Sequence, residues 1–207
     1  MTEDILSKIV WLGHDGFRID ASKTVYIDPY QIEEGPRADL ILITHEHFDH
    51  CSPDDVAKIQ QSGSVIVTEK DSAAKLSGDV RVVNVGEKLS VDDITVEAVA
   101  AYNTNKDFHP KSKGWLGFIV EIDGVKVYHA GDTDYIPEMK GYNTDIALLP
   151  VSGTYVMTAD EAVEAALAIN PKVAIPMHYG AIVGGGQDAE NFKTALEGKV
   201  EVRILDS

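Results

Sequence analysis

The chain has one cysteine, Cys51, so no disulfide can form within it and nothing in it asks for an oxidising compartment. It is also poor in bases: 18 Lys and Arg against 34 Asp and Glu leave a formal charge of −16, which works against binding a phosphate backbone. Nucleic acid is not an expected partner. No apolar run approaches the roughly 20 residues needed to span a bilayer, and Met1-Thr2-Glu3-Asp4 lacks the basic start and apolar centre of a signal peptide. The expectation is a cytoplasmic protein with no membrane partner. Low-complexity runs and short-period repeats are missing as well. What is present, 207 residues of which 44% are hydrophobic, suffices for one substantial core and predicts a single domain over 1–207. Nothing in the sequence fixes the oligomeric state, so a homo-oligomer stays open.

The richest stretch is Thr44-His45-Glu46-His47-Phe48-Asp49-His50-Cys51-Ser52, directly after the apolar run Leu40-Ile41-Leu42-Ile43. That run, rich in β-branched residues, predicts a strand buried on both faces. Ser52-Pro53-Asp54-Asp55 supplies an N-cap, a proline at the first helical position and two first-turn carboxylates, so a helix should start there. Four potential metal ligands thus lie on a tight strand-to-helix turn. Such a turn lets His45 and His47 point one way and Asp49 and His50 the other, which suits two adjacent ions better than one. Imidazole and carboxylate suit a borderline divalent cation: zinc first, with manganese, nickel, cobalt or iron also accepted.

Before this motif, residues 5 to 12, 17 to 20 and 24 to 27 predict an antiparallel meander, with Gly13-His14-Asp15-Gly16 as its first turn. Asp28-Pro29 ends the third strand, where the carboxylate could accept a hydrogen bond from a ligand histidine. After the motif, helix 53 to 61, strand 64 to 68, a helical stretch 69 to 76 and strand 80 to 85 give an α/β alternation, and Asp92-Asp93 turns the chain into strand 94 to 99. The second half holds the polar loop 102 to 114 with His109, strands 115 to 122 and 125 to 129 joined at Asp123-Gly124, and then Ala130-Gly131-Asp132-Thr133. Asp132, at a strand end, has two oxygens with which to bridge two cations. His129 falls on the core side of its strand by alternation. Strand 145 to 150, a capping box Thr158 to Glu161 opening a helix through Ile169, strand 172 to 177 ending in His178, a glycine loop 184 to 186, helix 188 to 197 and strand 199 to 205 complete the chain.

His-x-His-x-Asp-His after a strand resembles the signature of the metallo-β-lactamase superfamily. Gly13-His14, Gly131-Asp132-Thr133-Asp134 and Pro176-Met177-His178 are most similar to its lactonase-like branch, the L-ascorbate-6-phosphate lactonase-like hydrolases. The resemblance implies an α/β fold, a four-layer αββα sandwich of two similar halves, with a metal pair at the edge between the sheets. It implies His45, His47 and His109 on one ion, Asp49, His50 and His178 on the other, and Asp132 on both, with His14 facing the pocket. The implied activity is that of a metal-dependent hydrolase acting on a small molecule. Two cations lower the pKa of a water and polarise a carbonyl or phosphoryl oxygen, so an ester, lactone, amide or phosphodiester can be attacked. Asp49 and Asp132 would be the catalytic carboxylates, Asp49 also orienting the hydroxide, and Tyr155, Tyr179 or a metal-bound water could protonate the leaving group. Lys111 and Lys113, beside Trp115, would favour an anionic substrate. The alternative is a non-hydrolytic sensor or redox protein on the same fold, though no flavodoxin-like partner domain is present.

Overall fold

The computed structural model describes residues 1–206. Two mixed sheets are built by one rule, an antiparallel meander running into parallel strands. The six-stranded sheet takes its strands in chain order: β1 (Ile9–Gly13), β2 (Gly16–Asp20), β3 (Thr24–Ile27), β4 (Leu40–Ile43), β5 (Val65–Thr68) and β6 (Asp79–Val82). Of these, β1 to β3 are antiparallel and β3 to β6 parallel. The seven-stranded sheet repeats the scheme. In it, β7 (Lys88–Val91), β8 (Ile94–Ala100), β9 (Leu116–Ile122) and β10 (Val125–His129) are antiparallel. From β10 on, β11 (Ile146–Pro150), β12 (Val173–Met177) and β13 (Glu201–Val202) are parallel.

Burial on both faces explains why β4 has no polar residue. Leu40 and Leu42 point into the core between the sheets, with Phe118, Val120 and Leu148 of the other sheet in the same cluster. Ile41 and Ile43 point the opposite way, under Val56 and Ile59 of helix α2 (Pro53–Ile59). On the outer side of the second sheet, helix α4 (Ala159–Ile169) buries Ala162, Ala165, Ala166 and Ile169, a stripe at helical spacing, and helix α5 (Gly186–Ala195) buries Ala189 and Phe192. The result is the four-layer αββα sandwich that the sequence predicts.

Several boundaries depart from that reading. Residues 2 to 6 form a short helix, α1 (Thr2–Leu6), and the first strand starts only at Ile9. Glu3 and Asp4 suit the positive end of a helix, and Lys8 reaches back to Asp4 at 2.8 Å. Strand β7 was not foreseen. It is only four residues long, with Lys88 and Ser90 alternating with Leu89 and Val91 at an edge, and Asp92, at φ +53°, turns it back onto β8. The helical stretch at 69 to 76 shrinks to α3 (Lys70–Ala73), and the final strand to two residues. Among the described residues, no helix is long and apolar enough to cross a membrane.

The fold brings the strand ends that matter to one edge. Two main-chain hydrogen bonds tie the sheets together there, Leu116 N–H to Thr44 C=O at 3.1 Å and His178 N–H to His14 C=O at 3.0 Å.

Candidate metal centre

The turn after β4 is held from below by Asp28, at the end of β3. Its carboxylate accepts from Thr44 N–H at 2.8 Å, from the Thr44 hydroxyl at 2.6 Å and from His50 Nδ1 at 2.8 Å. Because the Thr44 hydroxyl donates to Asp28, its oxygen is left to accept from His45 Nδ1, 3.0 Å away. One buried carboxylate therefore fixes the tautomers of two histidines, leaving the Nε2 lone pair of each free for a cation. His178 is held likewise, by Ser152 Oγ at 2.8 Å from its Nδ1, and His109 donates from Nδ1 to the Tyr155 carbonyl at 3.2 Å.

His109 reaches the site on a loop that organises itself. Asn103 exchanges main-chain and side-chain hydrogen bonds with His109, at 2.7 and 2.8 Å, and Asp134 gathers Asn103, Thr104, Asn105 and Lys106. The side chains then form two groups. In the first, His45 Nε2 and His47 Nδ1 stand 3.0 Å apart beside His109, and the Trp115 ring lies 4.7 to 5.4 Å from all three imidazoles. In the second, His14, Asp49, His50 and His178 converge, with His14 Nε2 3.1 Å from Asp49 Oδ2. Asp132 lies between them: Oδ2 is 3.1 Å from His109 Nε2 and 3.4 Å from His178 Nε2, and Oδ1 is 3.4 Å from His50 Nε2.

The donor set fits divalent cations. Two atoms bound at about 2.1 Å to one ion lie about 3.0 to 4.2 Å apart, depending on the angle they subtend. The separations here fall in that range, and His50 Nε2, His109 Nε2, His178 Nε2 and Asp132 Oδ1 are buried without a hydrogen-bond partner. The electrostatics agree. Burial alone would raise the Asp132 carboxyl, but the imidazoles of His178, His50 and His109 hold it well below the usual carboxylate range. Burial likewise opposes charge on His50 and His178, yet Asp132 with Asp28 outweighs it at His50, and Asp132 with Asp15 carries His178 to about 9. Burial, with His50 nearby, pushes His45 well below the ordinary histidine range. Without cations, protons on His50 and His178 thus supply the positive charge that this acidic pocket requires.

A profile of the beta-lactamase superfamily domain matches residues 8–178. The chain belongs to the metallo-β-lactamase superfamily. Within the superfamily it is 35% identical, over 96% of both chains, to a UPF0173 metal-dependent hydrolase of Thermococcus kodakarensis, and it is a member of that family. The crystal structure of a protein described as a metal-dependent hydrolase, from Parabacteroides distasonis, superposes with a TM-score of 0.84 at 35% identity, covering 96% of this chain and 93% of that one. The metallo-β-lactamase fold also serves other chemistry: CmlA of Streptomyces venezuelae, a diiron β-hydroxylase, shares it at 15% identity and a TM-score of 0.78, over 95% of this chain and 52% of CmlA.

All seven ligands expected from the superfamily motif come together at the sheet edge, with Asp28 beneath His50 and His14 against Asp49. His129 is buried, as its alternation predicts. A cleft of about 390 Å³ opens over His47, Asp49, His109 and Asp132, walled by Phe48, Phe108, Tyr155 and Ile182. Lys111 is not in it, which corrects the sequence reading. Its ammonium pairs with Glu138 at 3.0 Å and sits 4.4 Å over the Tyr102 ring, lining a separate cavity. Lys113 is similarly taken up by Glu46 at 2.9 Å, and Tyr179 is buried against Trp11. Sequence reasoning gave no positioning role to Ser152, Asn103 or Asp134, and it missed Asp15. The only signal for Asp15 was its place in the glycine-flanked turn beside His14.

Proposed function

We propose that this chain is a dinuclear hydrolase of small uncharged esters or lactones, acting as a single domain over 1–207 in the cytoplasm. One observation carries the reading: Asp132 stands within 3.1 to 3.4 Å of histidines from both ligand groups, the position of a carboxylate shared by two ions. His45, His47 and His109 would hold the first ion, Asp49, His50 and His178 the second, zinc being the first expectation for imidazole-rich sites. Bound there, the cations would lower the pKa of a water and polarise the substrate oxygen.

The chain's own groups supply the rest. Asp49, near His14 and at the cleft floor, is available to orient the attacking water. Tyr155, on the cleft wall, is the candidate proton donor to the leaving alkoxide, whereas Tyr179 faces the core. The rim favours an apolar substituent, since Phe48 and Phe108 are 66% and 50% exposed there and no lysine or arginine lines the cleft. The anionic substrate expected from Lys111 is accordingly replaced by a neutral one. A lactone without a charged substituent agrees with this rim, as does the expectation of a small-molecule substrate.

The experiment is turnover of protein purified without chelator on matched panels of neutral esters, lactones, carboxylated analogues and bis-p-nitrophenyl phosphate. Highest kcat/KM on neutral, apolar-substituted esters or lactones is the expected result. Two bound ions with no turnover on any panel would favour the sensor alternative, and a marked preference for anionic substrates would overturn the rim argument.

A further inference from the structure

Two fully buried acids flank the second ligand group, and they are treated differently by the fold. Asp28 accepts three hydrogen bonds. Asp15 is as completely enclosed, at 0% exposure, yet neither of its side-chain oxygens has a hydrogen-bond partner. A buried carboxylate in that condition calls for a cation.

Its direction is fixed rather than incidental. Gly13 pairs with Gly16 in the β1–β2 hairpin, so His14 and Asp15 are the two-residue turn between the strands. The main chain of Asp15 is pinned from the opposite sheet. Gly131 N–H donates to His129 Nδ1 at 3.2 Å, which leaves the proton on Nε2 to be donated to the Asp15 carbonyl at 2.9 Å. So held, Asp15 Oδ2 lies 3.5 Å from His50 Nε2, 3.8 Å from His178 Nε2 and 4.0 Å from His14 Nε2. These are the separations of donors that share one ion, and the two nearest imidazoles present partnerless nitrogens.

Resting on the dinuclear reading, we propose that Asp15 is itself a ligand of the second ion, beside Asp49, His50, His178 and the shared Asp132. Asp15 and Asp49 approach His50 and His178 in two separate groups, so that ion draws on as many as three carboxylates and two imidazoles, whereas the first has three imidazoles and one carboxylate. Five donors with a majority of oxygen suit a harder cation of higher coordination number than tetrahedral zinc, such as Mn²⁺ or Fe²⁺. The ratio of Mn²⁺ to Zn²⁺ affinity is thus larger at the second site than at the first.

The test uses metal-free full-length protein titrated with Co²⁺, Mn²⁺ and Zn²⁺, wild type beside Asp15→Asn and Asp15→Ser. Bound ions are counted by elemental analysis, and Co²⁺ absorption and thermal melting are followed. Expected is retention of the first ion and a second-ion affinity lowered at least about tenfold, the minimum seen when even groups outside the ligand shell are lost. The Co²⁺ bands of the second ion should intensify as its coordination number falls. Two ions bound with unchanged affinity and unchanged Co²⁺ spectrum in both variants would overturn the role of Asp15 and leave the dinuclear site standing. Fewer than two ions in wild type would overturn the dinuclear reading itself, and this inference with it.

Discussion

The two ligand groups meet at Asp132 and are otherwise built on different terms. The first is an aromatic assembly: His45, His47 and His109 packed around the indole of Trp115, with no carboxylate of its own. The second is a pocket of charge, in which His50 and His178 are enclosed with Asp15, Asp28, Asp49 and Asp132. Packing and loop hydrogen bonds set the first group, so its geometry should be insensitive to pH. Mutual charge sets the second, so protons and cations compete there directly. One edge of one fold thus presents two unlike groups of candidate ligands a single carboxylate apart.

Changing the shared residue should abolish the distinction. Asp132→Asn is expected to lower metal content and turnover together, by about 100-fold or more in affinity, beyond what the loss of a group outside the ligand shell costs. Elemental analysis beside kcat would check it, and full activity would remove Asp132 from the site. A change confined to the second group should be milder. Gly184 has φ +68°, and a Cβ there would come within 2.6 Å of Ser152 Cβ, the residue that holds His178 Nδ1. Gly184→Ala should therefore weaken the second ion by about 10- to 100-fold while sparing the first, measurable by competition with a chromogenic chelator.

Acidity should separate the groups further. The imidazole of His178 in the metal-free protein is raised from the ordinary 6.5 to about 9, with burial opposing its charge and Asp132 and Asp15 outweighing burial. A raised histidine stabilises the fold fully below pH 6.5 and loses that contribution as pH climbs towards about 9. Metal needs the neutral ring, so the gain in Tm on loading metal should widen over the same interval. A constant gain would contradict the assignment. The smallest effect belongs to Lys111→Ala: its exposed pair with Glu138 is remote from the cleft, and kcat/KM should stay within about twofold on neutral and anionic substrates alike.

Legibility in the sequence followed locality. His45 to His50 lie within six residues after a strand whose burial was plain, and Asp28, Asp132 and His178 sit at strand ends where orienting and bridging groups belong. Trp115 was visible only as the aromatic at the head of a strand; its contact with three histidines depends on the sheets closing over each other. Asp15 was hidden by its neighbours, because an aspartate between glycines is also what any tight turn would carry. Lys111 misled for the converse reason: its charge is taken up by Glu138, 27 residues downstream, a pairing that no local pattern announces. Edge strand β7 escaped because its alternation, Lys88-Leu89-Ser90-Val91, runs for only four residues.

The central claim is that two ions are held by two unlike groups joined at Asp132. Its most direct test is the metal stoichiometry of chelator-free protein, wild type beside His109→Ala. Two ions per chain in wild type, falling to one in the variant with the second site's Co²⁺ spectrum intact, is the predicted result. One ion or none in wild type, or two in His109→Ala, would contradict it.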